Sequence, residues 1–504
     1  MPVRARALML QGTGSHVGKS VLTAALCRLF REDGLSVAPF KAQNMALNAY
    51  VTADGGEIGW AQAVQAEAAG LEPSVDMNPV LLKPQTGGAQ VVVHGKVWAT
   101  LSAREYYRRR GELWDAVTVS YRRLAAAHGL IVIEGAGSPA EPNLMAGDIT
   151  NMAVARLARA PVVLVGDIDR GGVFASLVGS LALLGRPDRR RVRGFLLNKF
   201  RGDPALLAPA LTFLTRRTGR PVLGVVPYLA DLHLPEEDSV ALEERGTSTL
   251  GWGPGGERVG FPPHRVVVVR LPHIANFTDF APLVADPAVE LRYAQRPEEV
   301  VGASLVILPG SKDTLADLRW LRASGFAAAV QAHLARGGRV AGICGGYQML
   351  GRAVEDPDGL EGGGRAEGLG CLAATTVLAP PKITRRVQAR LAAGGERFDA
   401  YELHLGRTRI DPEVAPFALI EDGDGSRPDG AVTRDGQVWG TYLHGVFDTA
   451  SVRRAVLGAP PPSEADPAGA GDYRAARERA FGRLAAHVRA HVDLRALRDL
   501  VGVR

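Results

Sequence analysis

The chain has 504 residues, of which 46% are hydrophobic and 22% are charged, and its formal net charge is +6. This length suggests roughly two to four domains, and the composition excludes a disordered or low-complexity chain. The three cysteines lie far apart and form no CxxC pair, which argues against a disulfide framework and against a cysteine zinc site. We therefore expect a reducing, cytoplasmic setting.

Neither a membrane segment nor a nucleic-acid interface is predicted. The apolar run ALML near the start is shorter than a signal-peptide core of about 7 to 15 residues, and no run approaches the roughly 20 residues of a membrane span. The arginine clusters at 107–110 and 189–193 lack interleaved aromatic residues or a nucleic-acid motif, so they are interpreted as solvated faces.

Two series of short β-branched runs alternate with alanine-rich stretches, which is the pattern of βαβ units in parallel sheets. The first series lies at 6–11, 130–134, 161–167, 194–199 and 221–226, and the second at 264–271, 303–310 and 337–344. We predict an α/β fold with two parallel-sheet domains. Their boundaries are 1–235 and 265–455, with a Gly/Pro-rich linker at 236–264 and a helical tail at 456–504.

The tail carries apolar residues at helical spacing from Tyr473 to Val488, which predicts an amphipathic helix packed on the core. His487 and His491 lie at i, i+4 on this helix, a spacing that could chelate a metal ion. Because no third ligand and no HExxH motif accompany them, we interpret both as surface or core histidines.

The stretch LMLQGTGSHVGKSVLTAAL, residues 8–26, predicts a strand, a glycine-rich loop and a helix, which is the context of a phosphate-binding loop. Backbone N–H groups at Gly12, Thr13 and Gly18 would surround phosphate oxygens, Lys19 would reach the terminal phosphates, and Ser20 would ligate Mg²⁺. Five residues rather than the usual four separate the two glycines. We expect ATP to bind here.

Carboxylates at strand ends are candidates for the Mg²⁺ site, because parallel sheets present ligands at the carboxyl ends of their strands. Glu134 ends the run LIVIE and is the stronger candidate, while Asp167 ends PVVLVGD and fits a turn carboxylate equally well. Lys41, which follows the run LSVAPF, could meet a phosphate or a substrate carboxylate, or could be a surface lysine.

The stretch AGICGGYQML places Cys344 in a G-x-C-x-G pattern after a predicted strand, the thiol counterpart of a nucleophile elbow. The start of the following helix favours the thiolate form of a cysteine. His444, one hundred residues later in VWGTYLHGVF, is the candidate base. Backbone N–H groups of Gly310 and Gly345 could stabilise an oxyanion, each donor contributing about 3 to 4 kcal/mol.

This half resembles the class I glutamine amidotransferases, with GICGGYQMLG as the elbow and YLHG as the histidine motif. The resemblance implies that Cys344 releases ammonia from glutamine through a glutamyl thioester, with Gln348 in the glutamine pocket. That family usually places a glutamate two residues after the histidine, where this chain has Val446. Another group must orient His444, and Asp448 is the one we suggest from the sequence.

The whole chain resembles the cobyric acid synthase family, whose P-loop half is similar to dethiobiotin synthetase. The resemblance rests on FKAQNMALNAY, EIGWAQAVQAEAA, MNPVLLKPQ, VIEGAGSPAEPNL, DIDRGGVFAS, LPHIANFTDF, LPGSKDTLADLRWL and YELHLGRT. It implies ATP- and glutamine-dependent amidation of four peripheral carboxylates of adenosylcobyrinic acid a,c-diamide. It also adds Glu57 to the candidate metal ligands, and it implies that KAQNM and YELHLGRT contact the substrate, although the alternating residues of a strand explain YELHLGRT equally well.

Three alternative functions remain open from the sequence. The first is a cobyrinic acid a,c-diamide synthase, which has the same modules but acts on other carboxylates. The second is a P-loop ATPase switch with a non-catalytic amidotransferase-like domain, and the third is a cysteine hydrolase acting on other amides. The sequence does not determine the oligomeric state or the order of the amidations.

Overall fold

The computed structural model describes residues 5–85, 87–230, 232, 234–235, 264–423, 425–458 and 473–503. Apart from its last residue, His264, the predicted linker at 236–264 lies outside these residues. None of the described helices is both long and apolar enough to cross a bilayer.

The first half forms a six-stranded sheet in which every pair of neighbours is parallel. Its strands, in spatial order, are Val222–Pro227, Val192–Phe200, Val162–Asp167, Arg6–Gly12, Leu130–Glu134 and Val37–Phe40. The central strands are buried on both faces, which explains their continuous apolar runs. The helices of this half are Lys19–Glu32, Trp60–Ala69, Ala103–Arg109, Trp114–Ala127, Met152–Ala158, Val173–Leu183, Arg186–Arg189 and Pro204–Thr218, with 3₁₀ turns at Val75–Met77, Arg110–Leu113 and Met145–Gly147.

The second half contains another six-stranded sheet, parallel except for its last short strand. Its strands, in spatial order, are Val289–Ala294, His264–Val269, Leu305–Leu308, Arg339–Ile343, Val438–Thr441 and Ala431–Val432. Its helices are Ala281–Val284, Thr314–Ala323, Phe326–Ala335, Gly345–Leu350 and Ala450–Leu457, with 3₁₀ turns at Phe277–Phe280 and Pro297–Val300. The predicted α/β class with two parallel sheets is confirmed.

Two further sheets, mostly antiparallel, were not predicted. One is built on the long strands Ala374–Leu391 and Arg397–Ile410, joined by Ala353–Asp356, Gly364–Glu367, Ala418–Asp422, Gly425–Asp429 and Leu443–His444. The other contains Gln43–Met45, Val80–Gln85, Gly88–Val93 and Lys96–Leu101. The hairpin Ala49–Val51 with Glu57–Gly59 and the pair Ile274–Ala275 with Gly310–Ser311 complete the strands. The sequence prediction relied on the short β-branched runs that are typical of parallel sheets, so it did not include these elements.

The chain ends with the helices Tyr473–His491 and Leu494–Val501, and the first of them packs against the helix Lys19–Glu32 of the first half. Phe481 and Leu484 are buried in the same hydrophobic cluster as Leu22 and Leu26. The amphipathic spacing of the tail therefore reflects its packing on the P-loop helix. Among the described residues no group of three His, Cys, Asp or Glu side chains could hold a metal ion.

Two asparagines join the halves by a reciprocal pair of hydrogen bonds. The backbone N–H of Ala49 donates to Oδ1 of Asn276 at 3.0 Å, and the N–H of Phe277 donates to Oδ1 of Asn48 at 2.9 Å. Both asparagines are buried. These bonds connect the segment after Lys41 to the segment that carries the 3₁₀ turn Phe277–Phe280.

Candidate active sites

Cys344 lies at a sharp turn between the strand Arg339–Ile343 and the helix Gly345–Leu350. Its backbone has φ 51° and ψ −107°, a conformation that a residue with a side chain rarely adopts, and such strain is typical of a nucleophile elbow. The elbow requires glycine at 346, because a Cβ atom there would lie 1.9 Å from the carbonyl oxygen of Leu308. Cys344 is 9% exposed, at the edge of the core.

The imidazole of His444 is fully buried and is oriented by Asp279. Its Nδ1 lies 2.7 Å from Oδ2 of Asp279, and the other carboxylate oxygen accepts a bond from the N–H of Gly445 at 3.3 Å. The suggestion of Asp448 was wrong, because Asp279 is the carboxylate that contacts Nδ1 of His444, and the Asp448 carboxylate lies 3.9 Å from the guanidinium of Arg477. Together with the influence of the Cys344 thiol on His444, this gives Cys344, His444 and Asp279 the arrangement of a triad, and its third member comes from the 3₁₀ turn Phe277–Phe280.

The charge of His444 is set by the two groups beside it. Burial alone would lower the pKa of this imidazole, but the Asp279 carboxylate and the Cys344 thiol together raise its pKa well above the usual range. The protonated form is therefore favoured. An imidazolium beside a sulfur is the arrangement that delivers a thiolate nucleophile and a general acid for the leaving group.

The strand Arg397–Ile410 forms one wall of this site. Tyr401 stacks on the His444 ring with centroids 4.9 Å apart, and Sγ of Cys344 lies 3.7 Å from the carbonyl oxygen of Leu403. Tyr401 also contacts the rings of Tyr50 and Trp60, which belong to the first half. The predicted YELHLGRT segment therefore lies between the triad and the P-loop half.

The predicted glutamine pocket residues lie on the elbow and on the segment that packs against it. A Cβ atom on Gly310 would lie 3.9 Å from Cβ of Cys344, and one on Gly345 would lie 2.8 Å from the backbone nitrogen of Ser311. Gln348 is buried on the same short helix, and its Oε1 has no hydrogen-bond partner among the described residues. Close backbone approach and an unpartnered amide oxygen fit a pocket that receives a small polar ligand.

The phosphate-binding loop lies between the strand Arg6–Gly12 and the helix Lys19–Glu32. Nζ of Lys19 donates to the carbonyl oxygen of Gly14 at 2.8 Å, so the ammonium lies over the loop. Gly18 has φ 94°, and a Cβ atom on it would lie 2.0 Å from Nδ2 of Asn198. The N–H of Thr13 donates to the carbonyl oxygen of Val165 at 3.0 Å, which continues the strand into the loop.

Glu134 is the centre of a buried polar network at the P-loop. Its Oε1 accepts from Oγ of Ser20 and from Nζ of Lys41, both at 2.8 Å, and its Oε2 accepts from Nε2 of Gln65 at 2.6 Å. Burial opposes ionisation, but Lys41 and Lys19 outweigh it and hold the pKa of Glu134 below its usual value. The adjacent hydroxyl and carboxylate are the hard oxygen donors that Mg²⁺ prefers, so Ser20 and Glu134 fit such an ion.

The two other metal candidates are engaged in ion pairs. Asp167 lies 3.0 Å from Nζ of Lys199. Glu57 is buried between Lys83, at 2.9 Å, and Lys382, and although burial opposes ionisation these lysines lower the pKa of Glu57 to about 2. No hydrogen bond or ion pair among the described residues joins either carboxylate to Ser20 or Glu134.

Asp279 and Gln65 are the functional candidates that sequence reasoning missed. Both lie in stretches that were noted only for their family resemblance, LPHIANFTDF and EIGWAQAVQAEAA. Asp279 is 165 residues from His444 and Gln65 is 69 residues from Glu134. No local spacing could have paired them.

The fold and the two sites define a P-loop protein fused to a triad glutamine amidotransferase. Residues 8–241 match the family model described as the CobQ/CobB/MinD/ParA nucleotide binding domain, and residues 265–452 match the CobB/CobQ-like glutamine amidotransferase domain.

Three curated relatives, all named cobyric acid synthase, match over nearly the full length. The relative from Sorangium cellulosum is 51% identical, with 98% of each chain covered. That from Pelotomaculum thermopropionicum is 48% identical, covering 99% of this chain and 97% of the relative, and that from Syntrophobacter fumaroxidans is 47% identical, covering 99% of both. The chain belongs to the cobyric acid synthase family.

Proposed function

We propose that the protein uses ATP and glutamine to amidate the four peripheral carboxylates b, d, e and g of adenosylcobyrinic acid a,c-diamide, giving adenosylcobyric acid. The observation that carries the proposal is the presence of two complementary centres on one chain. The triad of Cys344, His444 and Asp279 supports ammonia release, and the network of Lys19, Ser20 and Glu134 supports phosphate chemistry. The names of the full-length relatives support the corrin as the acceptor.

In the amidotransferase half, the sulfur of Cys344 attacks the side-chain carboxamide of glutamine. His444 gives its proton to the departing nitrogen, ammonia leaves, and a glutamyl thioester remains on Cys344. Water then cleaves the thioester, with His444 as the base, and glutamate is released. Asp279 holds Nδ1 of His444 at 2.7 Å, which leaves Nε2 as the ring nitrogen for proton exchange with the sulfur and the leaving group.

In the P-loop half, a corrin carboxylate oxygen attacks the terminal phosphate of ATP, giving an acyl phosphate and ADP. Ammonia then attacks the acyl carbon, an amide forms, and phosphate leaves with the carboxylate oxygen. Lys19 and Lys41 neutralise charge on the transferring phosphate. Ser20 and Glu134 would hold Mg²⁺, which supplies charge neutralisation between the phosphates when bound.

The test is mass spectrometry of the corrin after incubation with the protein, Mg²⁺, ATP and glutamine. We expect four successive exchanges of a hydroxyl for an amino group, none of which occurs without ATP. A Cys344→Ser variant should lose amidation from glutamine and keep amidation from ammonium. An unchanged corrin in the presence of glutaminase activity would contradict the proposal that the corrin accepts the ammonia.

The same experiment separates the alternatives. Amidation of cobyrinic acid at carboxylates a and c would indicate a cobyrinic acid a,c-diamide synthase. ATP hydrolysis without glutaminase activity would indicate a P-loop switch with a non-catalytic partner domain. Glutaminase activity that never depends on ATP or a corrin would favour a cysteine hydrolase.

A further inference from the structure

Three lysines from both halves lie near Glu57; Lys83 and Lys312 are buried, and the side chain of Lys382 is 14% exposed. Lys83 lies on the strand Val80–Gln85 and Lys382 on Ala374–Leu391, and their ammonium groups both contact the carboxylate of Glu57. Lys312 follows the short strand Gly310–Ser311, and its ammonium lies 3.5 Å from Oε1 of Gln90. This set, which we call the lysine cluster, lies where the two halves meet.

Lysine is rare in this chain, which makes its placement informative. Only seven of the 59 basic residues are lysines, and the others are arginines. Two of the seven, Lys19 and Lys41, belong to the P-loop site, and three more form the lysine cluster. An ammonium is a compact point charge, and it suits a confined site for one anionic oxygen group better than the broad guanidinium.

The lysine cluster contains more N–H donors than the chain satisfies, and burial lowers the pKa of Lys382 to about 7 and that of Lys312 below its usual value, because too little negative charge lies beside them. Each ammonium has three N–H donors, and in the part of the chain that the structure describes these reach only the oxygens of Glu57 and Gln90. The nearby carboxylate of Glu361 accepts from the N–H of Thr314 at 2.7 Å, and burial raises its pKa to about 7, so it supplies only part of a negative charge. Buried charge of one sign is costly unless an opposite charge joins it.

We propose that Lys83, Lys312 and Lys382 form a subsite for a substrate carboxylate other than the one being activated at the P-loop. This inference rests on the proposed function, because it requires a substrate with several carboxylates. A carboxylate oxygen placed among the three ammonium groups would accept the remaining donors and balance the charge.

The position of the lysine cluster agrees with such a role. Leu82, the neighbour of Lys83, pairs with Met45 in the small sheet, and Met45 lies four residues after Lys41. The cluster is therefore connected, through one short strand, to the lysine that contacts Glu134. A substrate that presents one carboxylate at the P-loop could place another at the lysine cluster.

The subsite distinguishes a charged carboxylate from the neutral amide that replaces it. Each amidation removes one negative charge from the substrate, so the attraction of the lysine cluster weakens as the reaction proceeds. Polyanionic early substrates are retained, and the product, which has lost four of these negative charges, is released. The lysine cluster thus gives the enzyme a physical means to favour incompletely amidated corrins.

The experiment compares corrin binding by the full-length wild type and by Lys312→Gln, with Lys382→Gln as the second variant and Lys96→Gln as the control. Lys312 forms no ion pair among the described residues, so its removal breaks no direct contact with an acid, and Lys96 is an exposed lysine outside the lysine cluster. Binding is measured without ATP, by the change in corrin absorbance, for the a,c-diamide and for the product with four more amides.

We expect both cluster variants to bind the a,c-diamide about tenfold more weakly, equivalent to about 1.4 kcal/mol, and to bind the product within about twofold of the wild type. Glutaminase activity and ATP affinity should be retained, which shows that the variants fold. Equal losses for both corrins, or no loss for either, would overturn the subsite, as would a selective loss of ATP affinity. Failure of the wild type itself to bind the corrin would refute the proposed function instead.

Discussion

The amidotransferase centre and the P-loop centre are built in different ways. The triad uses one carboxylate, Asp279, to set the position and charge of one imidazole beside one sulfur. The P-loop centre uses several charged groups around Glu134, two of them lysines, in a network that also includes a hydroxyl and an amide. Covalent chemistry on a neutral amide needs an aligned nucleophile, whereas phosphate chemistry needs charge neutralisation.

This difference predicts that the two centres can be disabled separately. A substitution in the triad removes the ammonia supply and leaves the activation of the carboxylate intact. A substitution at the P-loop removes the activation step and leaves glutamine hydrolysis intact. Ammonium added to the assay distinguishes the two cases, because it bypasses only the first centre.

The largest expected effect is that of Cys344→Ser. Glutamine-dependent amidation should fall by at least roughly a thousandfold, because a serine hydroxyl is a far weaker nucleophile at this elbow. Amidation with ammonium as the nitrogen source should stay within a few fold of the wild type. Loss of both activities would show that the centres are not separable.

The reverse result is expected for Glu134→Gln. The amide keeps the size of the side chain but removes the negative charge that faces Ser20 and Lys41, so amidation should fall about a hundredfold with either nitrogen source. Glutamine hydrolysis should continue at its basal rate. The matched control is Asp167→Asn, a strand-end carboxylate that pairs with Lys199.

Asp279→Asn tests what sets the charge of His444. Asp279 raises the pKa of His444, so its removal lowers that pKa, and the protonated imidazole is lost at a lower pH than in the wild type. We expect glutaminase activity to fall by about a hundredfold or more and the alkaline limb of its pH profile to move to lower pH. Asp448→Asn should leave the profile in place, and an unshifted profile for Asp279→Asn would argue against the triad.

The smallest expected effect comes from Asn48→Ala, which removes one of the two hydrogen bonds between the halves. The N–H of Phe277 would be left unpaired in a buried position, at a cost of about 1 to 3 kcal/mol. Because the same segment carries Asp279, we expect two- to tenfold more glutamine hydrolysed per amide formed. A ratio equal to that of the wild type would show that this contact does not couple the centres.

The sequence alone was sufficient to predict those parts of both centres whose residues are contiguous in the chain. The P-loop was predictable because Lys19 and Ser20 follow a strand and a glycine-rich turn, and the elbow because Cys344 lies between small residues after another strand. The family resemblance added the prediction that the carboxylates activated with ATP belong to a corrin. Both parallel sheets could be predicted because fully buried strands have continuous apolar runs.

The rest depended on contacts between distant residues. Asp279 takes the place of the usual glutamate after the histidine, and nothing in its own neighbourhood indicates that it meets His444. Glu57 was predicted as a metal candidate from resemblance, but it pairs with Lys83 and with Lys382, which lies 325 residues away. The hairpin strand that carries Lys382 has alternating residue types. Its composition therefore could not predict that it reaches Glu57.

The helix Tyr473–His491 at the end of the chain has a consequence for biosynthesis. It covers a face of Lys19–Glu32, with Arg28 lying 2.7 Å from Glu478 and Arg489 lying 2.7 Å from Glu32. This helix follows the second half in the sequence, so the ribosome makes it after residues 265–455. The first half therefore cannot complete its hydrophobic cluster until the second half has been synthesised.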